Sequence, residues 1–430
     1  MSGRKRSSRP QVCVLGLDGM PHSLLQGLAQ RGVMPCCARL LTTGAFRRMR
    51  VTLPEISAVS WSSFMTGANP GVHGIFGFTD VDAQYRLRFP SFLDLRAPTI
   101  WDRLGQVGKR SVVIGQPATY PARPLRGVLV SGFVAVDFAQ AVYPPARRAD
   151  LERIGYRVDV DLTQCRQDSR FLLQEINQVL EVRSRAVELL WEEEWDYFEV
   201  VAIGADRLQH MLWEAVENPE HKLHPQAMDY YRHLDAFIGA VADRCSSRSV
   251  RLYLLSDHGF TGIRQEVAVN AWLREHGWLS FATERPDGLE RLADGSRAFA
   301  LDPGRIYLNR VGRFARGTVG KADVKAVKAD LQAALQGLTC NGEPVLCRVF
   351  DSEQIYHGPE LAAAPDLVLL SRPGFDLKAT LRQRQVFGRS GLTGMHTWDD
   401  AFLLAPRELP EEVDICLPYR LLLEDLGVKP

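Results

Sequence analysis

The chain lacks an excess of charge of either sign: 52 Lys and Arg stand against 51 Asp and Glu, for a formal net charge of +1. A nucleic-acid partner calls for a concentrated basic surface, so this balance argues against one. Long apolar runs are missing too. The first apolar stretch, VCVLGL, stops at Asp18. It is too short for the core of a signal peptide, no small-residue cleavage site follows it, and no segment is long and clean enough to span a bilayer. Cysteine pairing motifs are absent: the eight cysteines are scattered without CxxC, and Cys36 and Cys37 are adjacent. Reduced thiols in a cytoplasmic protein are the expectation. There are no internal repeats and no extended low-complexity tract. Neither the oligomeric state nor the physiological substrate is legible from the residues.

What remains has the composition of an ordinary globular protein, 46% hydrophobic and 24% charged. At 430 residues the chain exceeds one comfortable core, so one large domain with an insertion, or two domains, is expected. The opening MSGRKRSSRP reads as a disordered basic tail over residues 1–10. Strand and helix then alternate. VCVLGL, RSVVIG and GVLVSG read as buried strands, with a helix around Ser23 to Gln30. The stretch 150–194 is largely helical, carrying apolar residues at helical spacing through Phe171, Leu172, Ile176, Val179 and Leu180. A further strand, helix and strand run from Phe198 to Phe260. Beyond Gly262 the texture changes to a charged helix (321–336), short strands (RIYLN, PDLVLL) and Pro/Gly turns. The expected architecture is therefore α/β, with a mostly parallel central sheet flanked by helices. The core would hold residues 11–260 and 392–430, and 261–391 would form a smaller α+β cap.

Polar groups cluster where hydrophobic strands end. VCVLGL runs into Asp18-Gly19, YFEVVAIGA into Asp206 and His210, and RLYLLS into Asp257-His258-Gly259; His396 lies far downstream. In an open parallel sheet the carboxyl ends of the strands share one crevice, so residues far apart in sequence can meet there. Three Asp and three His with no nearby Cys suit one or two divalent ions such as zinc. Taken singly each has a plainer reading. Asp18 can be a turn or helix cap, the i, i+4 pair Asp206 and His210 a capping acid and a half-exposed imidazole, and His396 a solvated loop residue. Asp257-His258 is the stronger signal, and both side chains can reach one site only if the strand has already turned. In LPEISAVSWSSFMTG, Pro54 stops any preceding helix and a new one begins near Ser57. A hydroxyl at a helix N-terminus faces free N–H groups that favour a phosphate. A plain N-cap serine fits equally well, and Ser60, Ser62, Ser63 and Thr66 compete for any nucleophilic role.

The stretches GLDGM, EISAVSWSSFMTGANPGVHGIFGF, ADRLQHMLW, SDHGF and GMHTWDD stand in one order across nearly the whole chain. In that order they resemble the alkaline phosphatase superfamily, in its type I phosphodiesterase/nucleotide pyrophosphatase-like branch. RIYLNRVGR and YHGPELAAAPDLVLL are similar to stretches of its bacterial phosphohydrolase/phosphomutase-like members. The resemblance implies an alkaline-phosphatase-like sheet and a hydrolase of phosphodiester or nucleotide-pyrophosphate substrates that works through a covalent phosphoserine. It implies Ser57 as nucleophile and two divalent ions, zinc first and manganese as the alternative. One would be held by Asp206, His210 and His396, the other by Asp18, Asp257, His258 and the Ser57 oxygen. A phosphomonoesterase or phosphomutase on the same fold, and a catalytically silent scaffold, are the alternatives. His73 is expected to be structural. Phe78 falls near a place where nucleotide pyrophosphatases often carry Asn. No arginine is identifiable for the extra charge of a monoester, and the C/S-x-P-x-R of sulfatases is missing. The expected partner is a small phosphate ester, with specificity set by the cap and by the segment after Gly77. Phe78, Trp101, Tyr120 and Trp398 are candidates to stack on a base.

Overall fold

The computed structural model describes residues 9–284 and 286–429; most of the expected basic tail, residues 1–8, lies outside the described residues. VCVLGL forms a strand, Val12–Leu17, that is buried at every position. An apolar strand without alternation needs cover on both faces, which a central parallel strand receives. It lies between Tyr197–Ala202 and Arg251–Leu255, parallel to both. Tyr197–Ala202 pairs in parallel with Ser111–Gln116, and that strand with Gly127–Ser131.

The resulting eight-stranded sheet has the order Ala45–Met49, Ala401–Ala405, Arg251–Leu255, Val12–Leu17, Tyr197–Ala202, Ser111–Gln116, Gly127–Ser131, Val142–Tyr143. Ala401–Ala405 runs antiparallel to both of its neighbours, and Val142–Tyr143 is antiparallel to Gly127–Ser131. The main sheet is thus mostly parallel with antiparallel pairing toward its edges. The chain does return to it after residue 391, but in the reverse direction. Apolar residues alone do not encode that direction.

The 150–194 stretch is helical mainly as Ser169–Trp191. Asp168 caps it by accepting from the amides of Arg170 and Phe171, which fixes its start. Leu172, Ile176, Val179 and Leu180 form its buried face, and helices Gly204–Glu217 and His224–Arg248 pack against it. Each such fully buried aliphatic side chain contributes on the order of 1.5–3 kcal/mol.

A second hydrophobic core gathers around a four-stranded antiparallel sheet ordered Ala298–Leu301, Arg305–Leu308, Leu367–Ser371, Leu346–Asp351. RIYLN and PDLVLL supply its two inner strands, and the helix Val324–Gln336 packs on Leu346–Asp351. Val81 and Tyr85, from well before residue 261, are buried in this same core. The Tyr85 hydroxyl donates to Asn309 Oδ1 at 2.8 Å. Among the described residues no helix is long and apolar enough to cross a membrane.

Candidate active site

All seven sequence-picked residues come together at the carboxyl ends of the central strands. Asp18 ends Val12–Leu17, and Asp257 and His258 follow Arg251–Leu255 after the chain has left the strand at Ser256. That departure lets the two neighbours share one site. Asp206 lies in the first turn of Gly204–Glu217 and His210 one turn later. Gly19 has φ +69°, and a Cβ there would stand 2.9 Å from the Asp206 Cβ, so only glycine permits this close approach. His396 is not on a loop. It sits in a short strand, Gly394–Thr397, antiparallel to Gly259–Gly262, with Phe260 opposite His396. This ribbon stacks the His396 ring on that of His258, with centroids 3.5 Å apart. The ribbon is too short to show as a periodic pattern, and its pairing is non-local, so sequence reading missed it.

Ligand-type atoms of Asp206, His210 and His396 lie within 4.8 Å of one another, and so do those of Asp18, Asp257 and His258. These are the two groups into which the resemblance divides them. The imidazole Nδ1 atoms of His210, His258 and His396 face the backbone carbonyls of Gly394, Gly259 and Glu55 at 3.0, 3.1 and 2.8 Å. A carbonyl only accepts, so each Nδ1 donates and each Nε2 is left with its lone pair. The carboxylates show the same division. Trp61 Nε1 donates to Asp18 Oδ2 (2.8 Å), Arg207 Nη1 to Asp206 Oδ2 (2.5 Å), and the Gly19 amide to Asp257 Oδ1 (3.0 Å). The remaining oxygens, Asp18 Oδ1, Asp206 Oδ1 and Asp257 Oδ2, are buried without a hydrogen-bond partner among the described residues. They point into the imidazoles: Asp206 Oδ1 is 3.4 Å from His210 Nε2 and 3.3 Å from His396 Nε2, and Asp257 Oδ2 is 3.3 Å from His258 Nε2. His210 and His396 bring their Nε2 atoms to 2.9 Å of each other. Buried acceptors converging in this way need cations. The donor set, three oxygens and three nitrogens split evenly, fits two divalent ions.

The charges differ between the groups. Burial, then the charges of Asp257 and Asp206, push the Asp18 carboxyl well above its ordinary range. Burial likewise raises Asp257 to about 7. Burial also acts upward on Asp206, but His210, His396 and Arg207 outweigh it and hold that carboxyl well below the usual range. Burial, with His396 alongside, keeps the His258 imidazole far below its ordinary value and hence neutral. Burial lifts the carboxyl of nearby Glu55 to about 7.

Ser57 is the first residue of the helix Ser57–Thr66, follows an extended Ile56, and is buried. Its Oγ lies 3.2 Å from His258 Nε2. Three of the four competing hydroxyls are occupied. Ser62 and Thr66 donate to the carbonyls of Ala58 and Ser62 one turn back, both at 2.6 Å, and Ser63 pairs with His73 Nε2 at 3.1 Å. His73 is fully buried and accepts the Ile75 amide at 3.1 Å, which matches a structural residue. Ser60 Oγ is buried without a partner among the described residues.

Two residues that orient the ligands, Trp61 and Asp159, escaped sequence reading, while Arg207, beside Asp206 in the chain, reads from sequence as a solvated or ion-paired arginine and is ion-paired. Trp61 holds Asp18, and Arg207 holds Asp206 while paired through two bonds to Asp159 at 3.0 and 2.7 Å. Nothing local marks Asp159, which is nearly fifty residues away. Trp61 sits one helical turn after Ser57, a spacing that was visible but carried no chemistry until the neighbouring strand was in place. Of the four aromatics considered for base stacking, Phe78 lines the cleft over the site, whereas Trp101 is buried in the core.

The sequence profile of the family described as type I phosphodiesterase / nucleotide pyrophosphatase matches residues 12–399. The chain therefore belongs to that family, within the alkaline phosphatase superfamily, and is a hydrolase acting on phosphoric ester bonds. Its fold is similar to that of phosphonoacetate hydrolase from Sinorhizobium meliloti in complex with phosphonoformate, at TM-score 0.65 and 18% identity over 97% of this chain and 96% of that one. It is also similar to the alkaline phosphatase PafA (TM-score 0.63, 14% identity, 98% and 96% covered). A third similar structure is murine ectonucleotide pyrophosphatase / phosphodiesterase 5 in complex with AMP (TM-score 0.59, 13% identity, 98% and 96% covered).

Proposed function

We propose that this chain cleaves phosphodiester or nucleotide-pyrophosphate-type substrates through a covalent phosphoserine on Ser57. The observation that carries the reading is the set of three buried carboxylate oxygens, without hydrogen-bond partners among the described residues, aimed into three imidazole Nε2 atoms, with one serine hydroxyl beside them. Asp206, His210 and His396 would hold one divalent ion and Asp18, Asp257 and His258, with the Ser57 oxygen, the other; zinc is the first expectation and manganese the second. When bound, such a pair supplies Lewis-acid activation of the hydroxyl and charge neutralisation at phosphorus.

The chain's own groups do the rest. Ser57 is presented at the start of a helix, where backbone N–H groups and the helix dipole favour an anionic phosphate. Its Oγ forms a bond to phosphorus as the bond to the leaving oxygen breaks, and water then attacks phosphorus and frees Oγ. Trp61, Arg207 and the Gly19 amide keep the carboxylates from turning. The three backbone carbonyls hold the imidazoles in the tautomer that exposes Nε2. Ser57 Oγ at 3.2 Å from His258 Nε2 suits two ligands of one ion.

A diester is favoured over a monoester by the cleft above the site. Among its described lining residues there is no arginine, and its one lysine, Lys378, is paired with Asp376 at 2.6 Å. The extra negative charge of a monoester therefore meets no free cation among the described lining residues. The second core, over about 261–391 and joined by Val81 and Tyr85, is the proposed specificity cap, since Asp302, Leu369 and Asp376 on it line the cleft. The eight cysteines are free thiols, which supports the cytoplasmic expectation. Side-by-side turnover of bis-p-nitrophenyl phosphate and p-nitrophenyl phosphate tests the choice. The diester should be the better substrate, and comparable monoester turnover would turn the assignment to a phosphomonoesterase or phosphomutase.

A further inference from the structure

The cleft over the site has a volume of about 310 Å³, and His210 and His396 form part of its wall. It therefore meets the centre on the Asp206 side, where a group leaving phosphorus opposite Ser57 would enter. Phe78, Leu369 and Leu377 give it apolar walls, and Thr79 and Asp302 line it as well. Those two polar residues come from different parts of the chain, Thr79 from the segment after Gly77 and Asp302 from the second core. One fully buried side chain, Arg305, joins them. Its Nη1 donates to the Thr79 carbonyl at 2.9 Å and its Nη2 to Thr79 Oγ1 at 3.2 Å. Its Nε donates to the Asp302 carbonyl at 2.9 Å, Nη2 converges on the same oxygen, and Nη1 reaches the Tyr307 hydroxyl at 3.4 Å. These contacts use all five N–H groups of the guanidinium. A Cβ at Gly77 would stand 2.4 Å from Arg305 Cζ, so a glycine there lets the guanidinium lie against the chain that leads to Thr79.

Because Thr79 Oγ1 accepts from Arg305, its O–H is the donor left over, and it has no acceptor among the described residues. Asp302 Oδ1 accepts the Ala379 amide, and no described residue donates to Oδ2. The cleft thus offers one donor and one acceptor on a shared support. We infer that the group leaving phosphorus carries a hydroxyl, that Thr79 and Asp302 bind it, and that Arg305 positions both. The inference rests on the phosphodiesterase reading above and deepens it by naming the substrate class, phosphoesters of an alcohol that bears a second hydroxyl. A hydroxyl supplies both the lone pair that the Thr79 O–H needs and the proton that Asp302 accepts. An ammonium has no lone pair for Thr79, and a further phosphate would be repelled by the Asp302 carboxylate. The apolar walls suit the carbon frame between the two oxygens.

With zinc-loaded protein, the experiment compares kcat/KM for 3-(hydroxymethyl)phenyl methyl phosphate with its isostere, 3-ethylphenyl methyl phosphate, by release of the phenol. The two leaving groups differ by one hydroxyl at the far end of the ring. The hydroxymethyl ester should be favoured roughly ten- to a hundredfold. Thr79→Val and Asp302→Asn should each bring that ratio close to one, and Thr79→Ser, which keeps the hydroxyl, should retain it. Arg305→Lys should lower the ratio although Arg305 touches no substrate, and the loss should fall mainly on KM, because the hydroxyl is held alike before and during bond cleavage. Because the readout is a ratio, effects common to both esters cancel. Equal rates in the wild type, or a ratio that survives both Thr79→Val and Asp302→Asn, overturn the inference. A 3-(aminomethyl)phenyl ester that outruns the hydroxymethyl ester also overturns it, in favour of a cation site. Calorimetric binding of the same esters to zinc-loaded Ser57→Ala separates this idea from the hydrolase reading. Hydroxyl preference in binding with no turnover by the wild type keeps the pocket and sinks the chemistry; turnover without preference does the reverse.

Discussion

The two halves of the centre are built from the same side chains and differ in surroundings. Asp18, Asp257 and His258 are wholly buried, whereas the side chains of His210 and His396 remain 25% and 13% exposed at the cleft. In the deep group two carboxyls lie together with no arginine or lysine bonded to either among the described residues, and burial drives both upward. In the cleft group one carboxyl meets two imidazoles and Arg207, and is held down. The deep half therefore depends more on an external cation, and the cleft half is already partly neutralised by the chain. This division suits the chemistry proposed, in which the deep half touches the nucleophile and the open half meets the group that departs.

The largest expected effect falls on the deep half. Ser57→Ala should lower kcat/KM at least about a thousandfold while both ions stay bound, as elemental analysis and steady-state kinetics would show. Retained activity would remove Ser57 from the reaction. Next, Asp18→Asn should release one ion and His210→Ala the other, each leaving close to one equivalent per chain. Loss of both ions from either variant would break the idea of two separable halves. On chelation of the wild type the release should be biphasic, the cleft ion leaving first because its ligands reach solvent. A single phase would count against the contrast. Arg207→Gln should weaken the cleft ion about ten- to a hundredfold with little effect on the deep one, since Arg207 acts by orienting Asp206.

The smallest effect comes from a buried acid outside the site. Glu199 lies fully buried in the central strand Tyr197–Ala202, with the Tyr197 hydroxyl at 2.5 Å from its Oε2, and burial raises it to about 8. Its folded value is above its unfolded one. Its contribution is therefore complete below about 4.5 and is lost as pH rises through about 8. Glu199→Gln should flatten the fall of the thermal midpoint between those limits by roughly a few degrees. An unchanged pH profile would mean that Glu199 is not protonated in the fold. Glu199 and Asp257 share the desolvation, but only Asp257 has an imidazole beside its free oxygen. That neighbour is what distinguishes a metal ligand from a buried acid.

Much of the site was legible because its donors follow strands that announce themselves. Asp18 and Asp257 come directly after fully apolar runs, and Asp206 and His210 carry a helical spacing. What was illegible depends on non-local pairing. His396 reads as a loop residue until Gly394–Thr397 pairs with Gly259–Gly262, and the reversed direction of Ala401–Ala405 has no local mark. The second core behaves similarly: Val81 and Tyr85 join it from the far side of the catalytic sequence. Among the serines, hydrogen bonding made the distinction that spacing could not, because Ser62, Ser63 and Thr66 are engaged elsewhere.

Anomalous diffraction at the zinc edge from zinc-loaded crystals tests the central claim most directly. Two peaks are expected, one enclosed by Asp206, His210 and His396 and the other by Asp18, Asp257 and His258 with Ser57 Oγ within bonding reach. A single peak, or a second one remote from Ser57, would contradict the account.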